Sequence, residues 1–163
     1  MARQIWLLRH ADAEPHGERD DAARPLTARG EEQARAAGIA LARIGASFEL
    51  VLYSPKVRAV RTAAIALAEV GQADVARPSE ALAGGPDAAF VADAVAGLGP
   101  DAHVLIVGHE PYLTTLIAEL TGARADLKKG GLAVVRLGGG GGELAALLRP
   151  RELAAIAGAA VAA

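Results

Sequence analysis

The sequence predicts an α/β fold: a mostly parallel central sheet with helices on both faces and a late antiparallel hairpin at its edge. Three observations predict it. Short β-branched and leucine runs alternate with longer alanine-rich stretches. Strands separated by helices need crossover connections, so they pair in parallel and are covered on both sides. The length of 163 residues suits a single domain, 1–163, built around one core.

The elements follow in order. Ile5-Trp6-Leu7-Leu8 predicts a first buried strand, and a polar loop runs from His10 to Leu26. Thr27 is placed to cap a helix whose positions Ala34, Ala37, Leu41 and Ile44 share one face, with a stop near Gly45. Leu50-Val51-Leu52-Tyr53 predicts a second strand. Ser54-Pro55 opens a second helix, with Val60, Ala64, Leu67 and Ala68 as its apolar face, ending near Gly71. A weak strand is expected around Val75, a loop from Pro78 to Pro86 and a helix from Asp87 to Val95. His103-Val104-Leu105-Ile106-Val107 is the strongest strand signal, and Gly108 to Pro111 turns the chain into a helix over Tyr112 to Leu120. Leu132 to Leu137 and Glu143 to Leu148 are expected to pair across Gly138 to Gly142, before a terminal helix from Arg151 to Ala160.

Composition narrows the function. Apolar residues make up 52%, but about a quarter of the chain is alanine, well above its usual share. Aromatics are only 3%, so the core must rest on Leu, Val, Ile and close-packed Ala. A net charge of −2 with this apolar content excludes a disorder-type composition. It also argues against a nucleic-acid partner, which calls for a basic chain. Cysteine is absent, so thiolate nucleophiles, disulfides and Cys-ligated metals are excluded. The apolar run before Arg9 is short for a signal peptide, and no run approaches the roughly 18 residues of a spanning helix. A cytoplasmic protein without a membrane partner is expected.

In open α/β sheets ligands bind beyond the carboxyl ends of the strands. Arg9-His10 follows the first strand, Ser54 to Arg58 the second, and Gly108-His109-Glu110-Pro111 the strongest. Two histidines and two arginines thus leave separate strands toward one edge. Arginine presents a fork of donors suited to phosphate oxygens. A neutral imidazole has one lone pair that can attack phosphorus. Phosphoryl transfer needs mainly positioning and neutralisation of the equatorial oxygens, which these side chains supply without metal or cofactor.

Leu7-Leu8-Arg9-His10-Ala11-Asp12-Ala13-Glu14 resembles the signature of the histidine phosphatase superfamily, in its phosphoglycerate-mutase-like branch. Arg24-Pro25-Leu26-Thr27 with Gly30, Val51 to Ala63, and Val107-Gly108-His109-Glu110-Pro111 resemble its further motifs, in the same order. Length and the Arg-Pro-Leu-Thr string make the chain most similar to SixA-type phosphohistidine phosphatases. The resemblance covers residues 3 to 120. It implies His10 as the nucleophile, Arg9 and Arg58 as phosphate ligands, and His109 as a donor to the transferring group. It also implies Arg24 as a contact at the pocket mouth and Glu80 as the candidate general acid. The family's usual Gly after the histidine is here Ala11, which implies a turn with negative φ.

Other features carry less. His16 with Glu14, Glu18, Asp20 and Asp21 lacks metal-loop spacing and is expected to be a solvated acidic loop bordering the pocket. His103 is expected to be structural, Lys128-Lys129 a solvated turn, and Ser54 no nucleophile, since the Gly-x-Ser-x-Gly elbow is missing. Gly138 to Gly142 fails the dinucleotide fingerprint, and no P-loop string exists. Three readings stay open. The first is a phosphohistidine phosphatase acting on a phosphorylated protein. The second is a broad phosphomonoesterase for small phosphorylated substrates, which would need an effective acid. The third is a non-catalytic phosphate- or phosphoprotein-binding module. The physiological partner and the oligomeric state are not encoded in any motif.

Overall fold

The computed structural model describes residues 2–158. Strands β1 (Arg3–Arg9), β2 (Leu50–Tyr53), β3 (Ala76–Pro78), β4 (His103–Gly108), β5 (Leu132–Gly138) and β6 (Gly141–Leu148) form one sheet in the order β3-β2-β4-β1-β5-β6. The first four lie parallel; β5 pairs antiparallel with β1, and β6 antiparallel with β5. Helices α1 (Ala28–Arg43), α2 (Val57–Val70), α3 (Ala88–Val95), α4 (Tyr112–Thr121) and α5 (Pro150–Ala157) connect or follow them. The expected mixed sheet with its late hairpin is therefore present. The last residues of the expected terminal helix, 159–160, lie outside the described residues.

Side chains alternate across each inner strand with period two. Trp6, Leu8, Leu105 and Val107 pack with Leu41, Leu67 and Leu153, from α1, α2 and α5. Ile5, Leu7, Val104 and Ile106 pack with Val91, Leu113 and Leu116, from α3 and α4. Two facts about the helices differ from the sequence expectation. Helix α2 buries Ala59, Ala63, Ala66 and Leu67, while Val60, Ala64 and Ala68 face outward. Ile44 caps α1 and is 47% exposed rather than buried. The reason for the first is steric. A Cβ at Gly38 of α1 would stand 2.5 Å from the Ala66 carbonyl oxygen, so the two helices touch nearly backbone to backbone. Only alanine-sized residues fit between them, and size overrides hydropathy in choosing the face.

The hairpin carries a bulge. Val134 pairs with Ala146 and Val135 with Leu144, so Ala145 has no opposite residue. The extra residue flips the alternation of β6. Leu144 packs on the α3–α4 side, whereas Ala146 and Leu148 pack on the α1–α5 side.

The first turn of α1 sits directly over the loop after β1. The Thr27 side chain accepts the Gly30 amide at 3.0 Å, as expected of the cap. A Cβ on Gly30 would overlap the Asp12 carbonyl oxygen. Gly30→Ala is therefore expected to destabilise the fold by about 1–3 kcal/mol, the usual cost of overpacking. A drop in the urea midpoint at unchanged m-value is the measurement; an unchanged midpoint would contradict the close approach.

Candidate active site

Strand register brings the predicted residues to one level. Arg9 pairs with Gly108 and Tyr53 with Val107. The His10 amide donates to Gly108 O and the Ser54 amide to Val107 O, each at 3.0 Å. One residue beyond these strand ends stand His10, Ser54 and His109. The two imidazole rings lie 5.2 Å apart between centroids. His10, His109, Ser54 and Arg58 are all buried.

Each histidine is held by a specific partner. His10 Nδ1 lies 2.8 Å from Ala11 O. A carbonyl only accepts, so the ring proton sits on Nδ1 and the lone pair on Nε2. His109 Nε2 lies 2.7 Å from Ser54 Oγ, which already accepts the Lys56 amide at 3.2 Å. We assign the Ser54 proton to His109 Nε2, which leaves the His109 proton on Nδ1. Ala11 keeps negative φ, as its side chain requires. Its amide donates to Thr62 Oγ1 at 3.0 Å, and Thr62 Oγ1 donates to Arg58 O at 2.7 Å. One hydroxyl thus ties the turn after β1 to the first turn of α2.

The arginines are anchored at one end. Arg9 Nη1 donates to Leu127 O at 2.9 Å. Arg58 Nη1 donates to Asp21 O at 2.8 Å, and Arg58 Nη2 lies 3.3 Å from Asp21 Oδ2. Three side-chain atoms are buried without a partner among the described residues: Arg9 Nε, Arg58 Nε and His109 Nδ1. A buried donor left unpaired costs about 1–3 kcal/mol. All three belong to the four residues that the motifs single out; the two arginine Nε atoms are donors, and His109 Nδ1 is one in the assigned tautomer.

Asp21, expected to be part of a solvated loop, is instead a charge hub. Its Oδ1 accepts from Arg24 Nη2 at 2.9 Å, and its Oδ2 faces Lys56 Nζ at 3.2 Å and Arg58. Burial raises its pKa, but hydrogen bonds from Lys56 and Arg24 and the Arg58 charge outweigh that and hold it well below the usual carboxylate range. Arg24 spends its guanidinium on Asp21 and, through Nη1, on Glu14 O at 2.7 Å. The structure thus joins Arg24 to Arg58 through one carboxylate. Glu80 opens a 3-10 turn (Glu80–Ala83) after β3 and is exposed. No hydrogen bond or ion pair joins it to His10, His109 or either arginine among the described residues. Sequence reasoning missed Asp21, Thr62 and the structural use of Ser54. The Asp21-to-Arg24 spacing of three, one side of a tight turn, was the available signal.

Burial dominates the histidine titrations. Desolvation, then the charges of Arg58, Arg9 and Lys129, push His10 down to about 4 against the Ala11 hydrogen bond. Desolvation, then His10, Arg58 and Lys56, push His109 down to about 3. Both rings are neutral in the folded chain at neutral pH. NMR of the ring protons is expected to give midpoints well below 6.5 for both. The unfolded chain then takes up protons first as pH falls. Both residues contribute stability that is full above about pH 6.5 and lost as pH drops toward 4 and then 3. A His10 midpoint near 6.5 would contradict the burial.

The comparisons agree with this architecture. The family described as "Histidine phosphatase superfamily (branch 1)" matches residues 5–82. An uncharacterised protein of Picosynechococcus is 32% identical over 141 residues, covering 83% of this chain and 86% of its own length. The structure of the protein histidine phosphatase SixA complexed with tungstate superposes with a TM-score of 0.82 at 27% identity, over 92% of this chain and 99% of that one. A putative SixA phosphohistidine phosphatase from Nakamurella multipartitia gives a TM-score of 0.74 at 29% identity, over 92% and 97%. With motif order, strand register and these similarities in accord, the chain belongs to the histidine phosphatase superfamily and is SixA-like in fold.

Proposed function

We propose that the protein is a metal-independent phosphatase that hydrolyses phosphohistidine on a protein, in the cytoplasm, through a covalent intermediate on His10. One observation carries the reading: among the described residues the buried side-chain polar atoms without partners are Arg9 Nε, Arg58 Nε and His109 Nδ1, around a histidine whose Nε2 lone pair is free. A tetrahedral oxyanion offers the missing acceptors. The SixA structure solved with tungstate holds such an oxyanion.

His10 Nε2 forms a bond to phosphorus while the substrate's N–P bond breaks, and the leaving imidazole takes a proton from solvent. Arg9 and Arg58 neutralise the equatorial oxygens, and His109 Nδ1–H donates to them as charge builds. Water then attacks the phosphorus of phospho-His10. That N–P bond breaks, inorganic phosphate leaves, and the Nε2 lone pair returns.

The acid side of the site favours an imidazole leaving group. Asp21 is engaged by Arg24, Lys56 and Arg58. Glu110 accepts the Thr114 amide and hydroxyl. Asp12 accepts from Thr27 Oγ1 at 2.8 Å. Glu80 has no hydrogen bond or ion pair among the described residues, and it is exposed. An alcohol leaves poorly without a positioned acid, whereas an imidazole, with a conjugate-acid pKa near 6.5, needs far less help.

The test is a substrate panel: a phosphohistidine protein, free phosphohistidine and p-nitrophenyl phosphate. The phosphoramidates are expected to be favoured about tenfold or more in kcat/KM. Glu80→Gln is expected to leave them within about twofold. Faster turnover of the phosphoester, with loss in Glu80→Gln, would replace this reading by a broad phosphomonoesterase. Phosphate binding without turnover on any substrate would establish a binding module instead.

A further inference from the structure

Beside the four residues lies a second feature that the mechanism does not use. A cleft of about 470 Å3 is lined by Arg9, Arg29, Lys128, Lys129, Arg149 and Arg151, with Asp12 as the acid among its lining residues. Four separate chain segments supply these cations: the end of β1, the first turn of α1, the turn before β5 and the start of α5. This is not a charge run along one helix but a convergence imposed by the fold. It stands out on a chain whose net charge is −2.

The cleft is continuous with the phosphoryl site. Arg9 belongs to both. The Gly130 amide, next to Lys129, donates to Arg9 O at 3.1 Å and His10 O at 3.0 Å. The Lys129 charge is one of those that lower the His10 pKa. The cations are only partly compensated. Lys129 faces Asp12 at 3.7 Å, while Lys128 pairs with Asp126 at 2.7 Å and Arg149 with Glu152 at 2.9 Å, both at the solvent surface. Such pairs contribute little and exchange readily for an incoming carboxylate. Arg29 and Arg151 are exposed and have no ion pair among the described residues. Across the site, by contrast, Arg24, Lys56 and Arg58 already share Asp21. Both flanks of His10 are thus net positive, but the cleft is the flank whose exposed Arg29 and Arg151 have no ion pair among the described residues.

We propose that this cleft docks a carboxylate-rich segment of the protein whose phosphoryl group is delivered to His10. The proposal rests on the protein-phosphohistidine reading above. Arginine forks match carboxylates bidentately. The lining has no aromatic side chain on which a base could stack, which weighs against a nucleic acid. Docking of this kind acts on encounter and affinity rather than on the chemical step.

The test uses the full chain and the double variant Arg29→Glu/Arg151→Glu, both exposed positions outside the phosphoryl site. On a phosphohistidine protein rich in acidic residues, the variant is expected to raise KM about tenfold with kcat within twofold. On free phosphohistidine, kcat/KM is expected to stay within about twofold. Equal effects on both substrates, or none on the protein, would overturn docking. A second arm does not depend on turnover: anisotropy of a labelled deca-glutamate peptide at low salt, with a single-stranded decanucleotide as competitor. Binding weakened about fivefold or more by the variant supports docking even if the protein is not a substrate, in which case only the substrate reading falls. No peptide binding, equal binding to both forms, or preferential binding of the oligonucleotide overturns it. On the acidic protein substrate Arg29→Gln/Arg151→Gln is expected to fall between the wild type and the Glu variant, and a Gln form that keeps wild-type KM there while the Glu form does not would make the two cations dispensable and overturn docking.

Discussion

His10→Ala lowers kcat/KM by about 10⁴-fold or more if His10 forms the covalent bond to phosphorus, since nucleophile removal abolishes the route rather than tuning it. The effect should fall on kcat, with the oxyanion donors left in place. Incubating the wild-type chain with a labelled phosphoramidate and quenching in base should trap one acid-labile, base-stable phosphoryl group per molecule, absent from the variant. The geometry explains why no neighbour substitutes. His109 is the other buried imidazole, but its Nε2 is engaged by Ser54 Oγ at 2.7 Å. Its Nδ1 carries the proton in the assigned tautomer, so it has no free lone pair. Retention of full turnover in His10→Ala would end the covalent mechanism.

Arg58→Ala is expected to cost about 10²–10³-fold in kcat/KM, the usual loss when a charge-stabilising donor is removed from a desolvated site. The loss should appear in kcat and in the affinity for inorganic phosphate or tungstate. Arg58→Lys is expected to recover little. The guanidinium touches both the Asp21 backbone carbonyl and its carboxylate while keeping Nε unpaired, and an ammonium on a shorter reach cannot hold that fork. Asp21→Asn keeps the Arg58 charge but weakens its support, so a smaller loss of about tenfold is expected. If Asp21→Asn proved as damaging as Arg58→Ala, the carboxylate would have a direct part in the reaction.

The sheet and its carboxyl edge were legible because their signals are local. Ile5 to Leu8 and His103 to Val107 are short apolar runs of strand length, and the residues that follow them inherit their position from the strand end. By that logic His10, Arg58 and His109 belong at one edge of the sheet. What was not legible depends on contacts between distant segments. The buried face of α2 is fixed by its approach to Gly38 of α1, a fact of helix packing that hydropathy at Val60 and Ala64 does not report. Asp21 reads as one more acid in a polar loop until the fold sets Arg58 and Lys56 against it. Lys128 and Lys129 do form an exposed turn, as expected. Their closeness to Arg9 follows from the return of β5 beside β1, which no local pattern announces.

The place of β1 has a consequence for how the chain acquires its structure. Its two neighbours are β4 and β5, which pair with it from residues 103–108 and 132–137. The strand that carries His10 is made first and meets its partners only after roughly a hundred further residues exist. Such long-range pairing is the slow kind, because loop closure comes before any reward. During synthesis Ile5 to Leu8 stays without its sheet, so the nascent chain exposes this apolar run the longest. The residues expected to bind phosphate are then the last to be brought together, and only a chain complete through β5 can hold them in place.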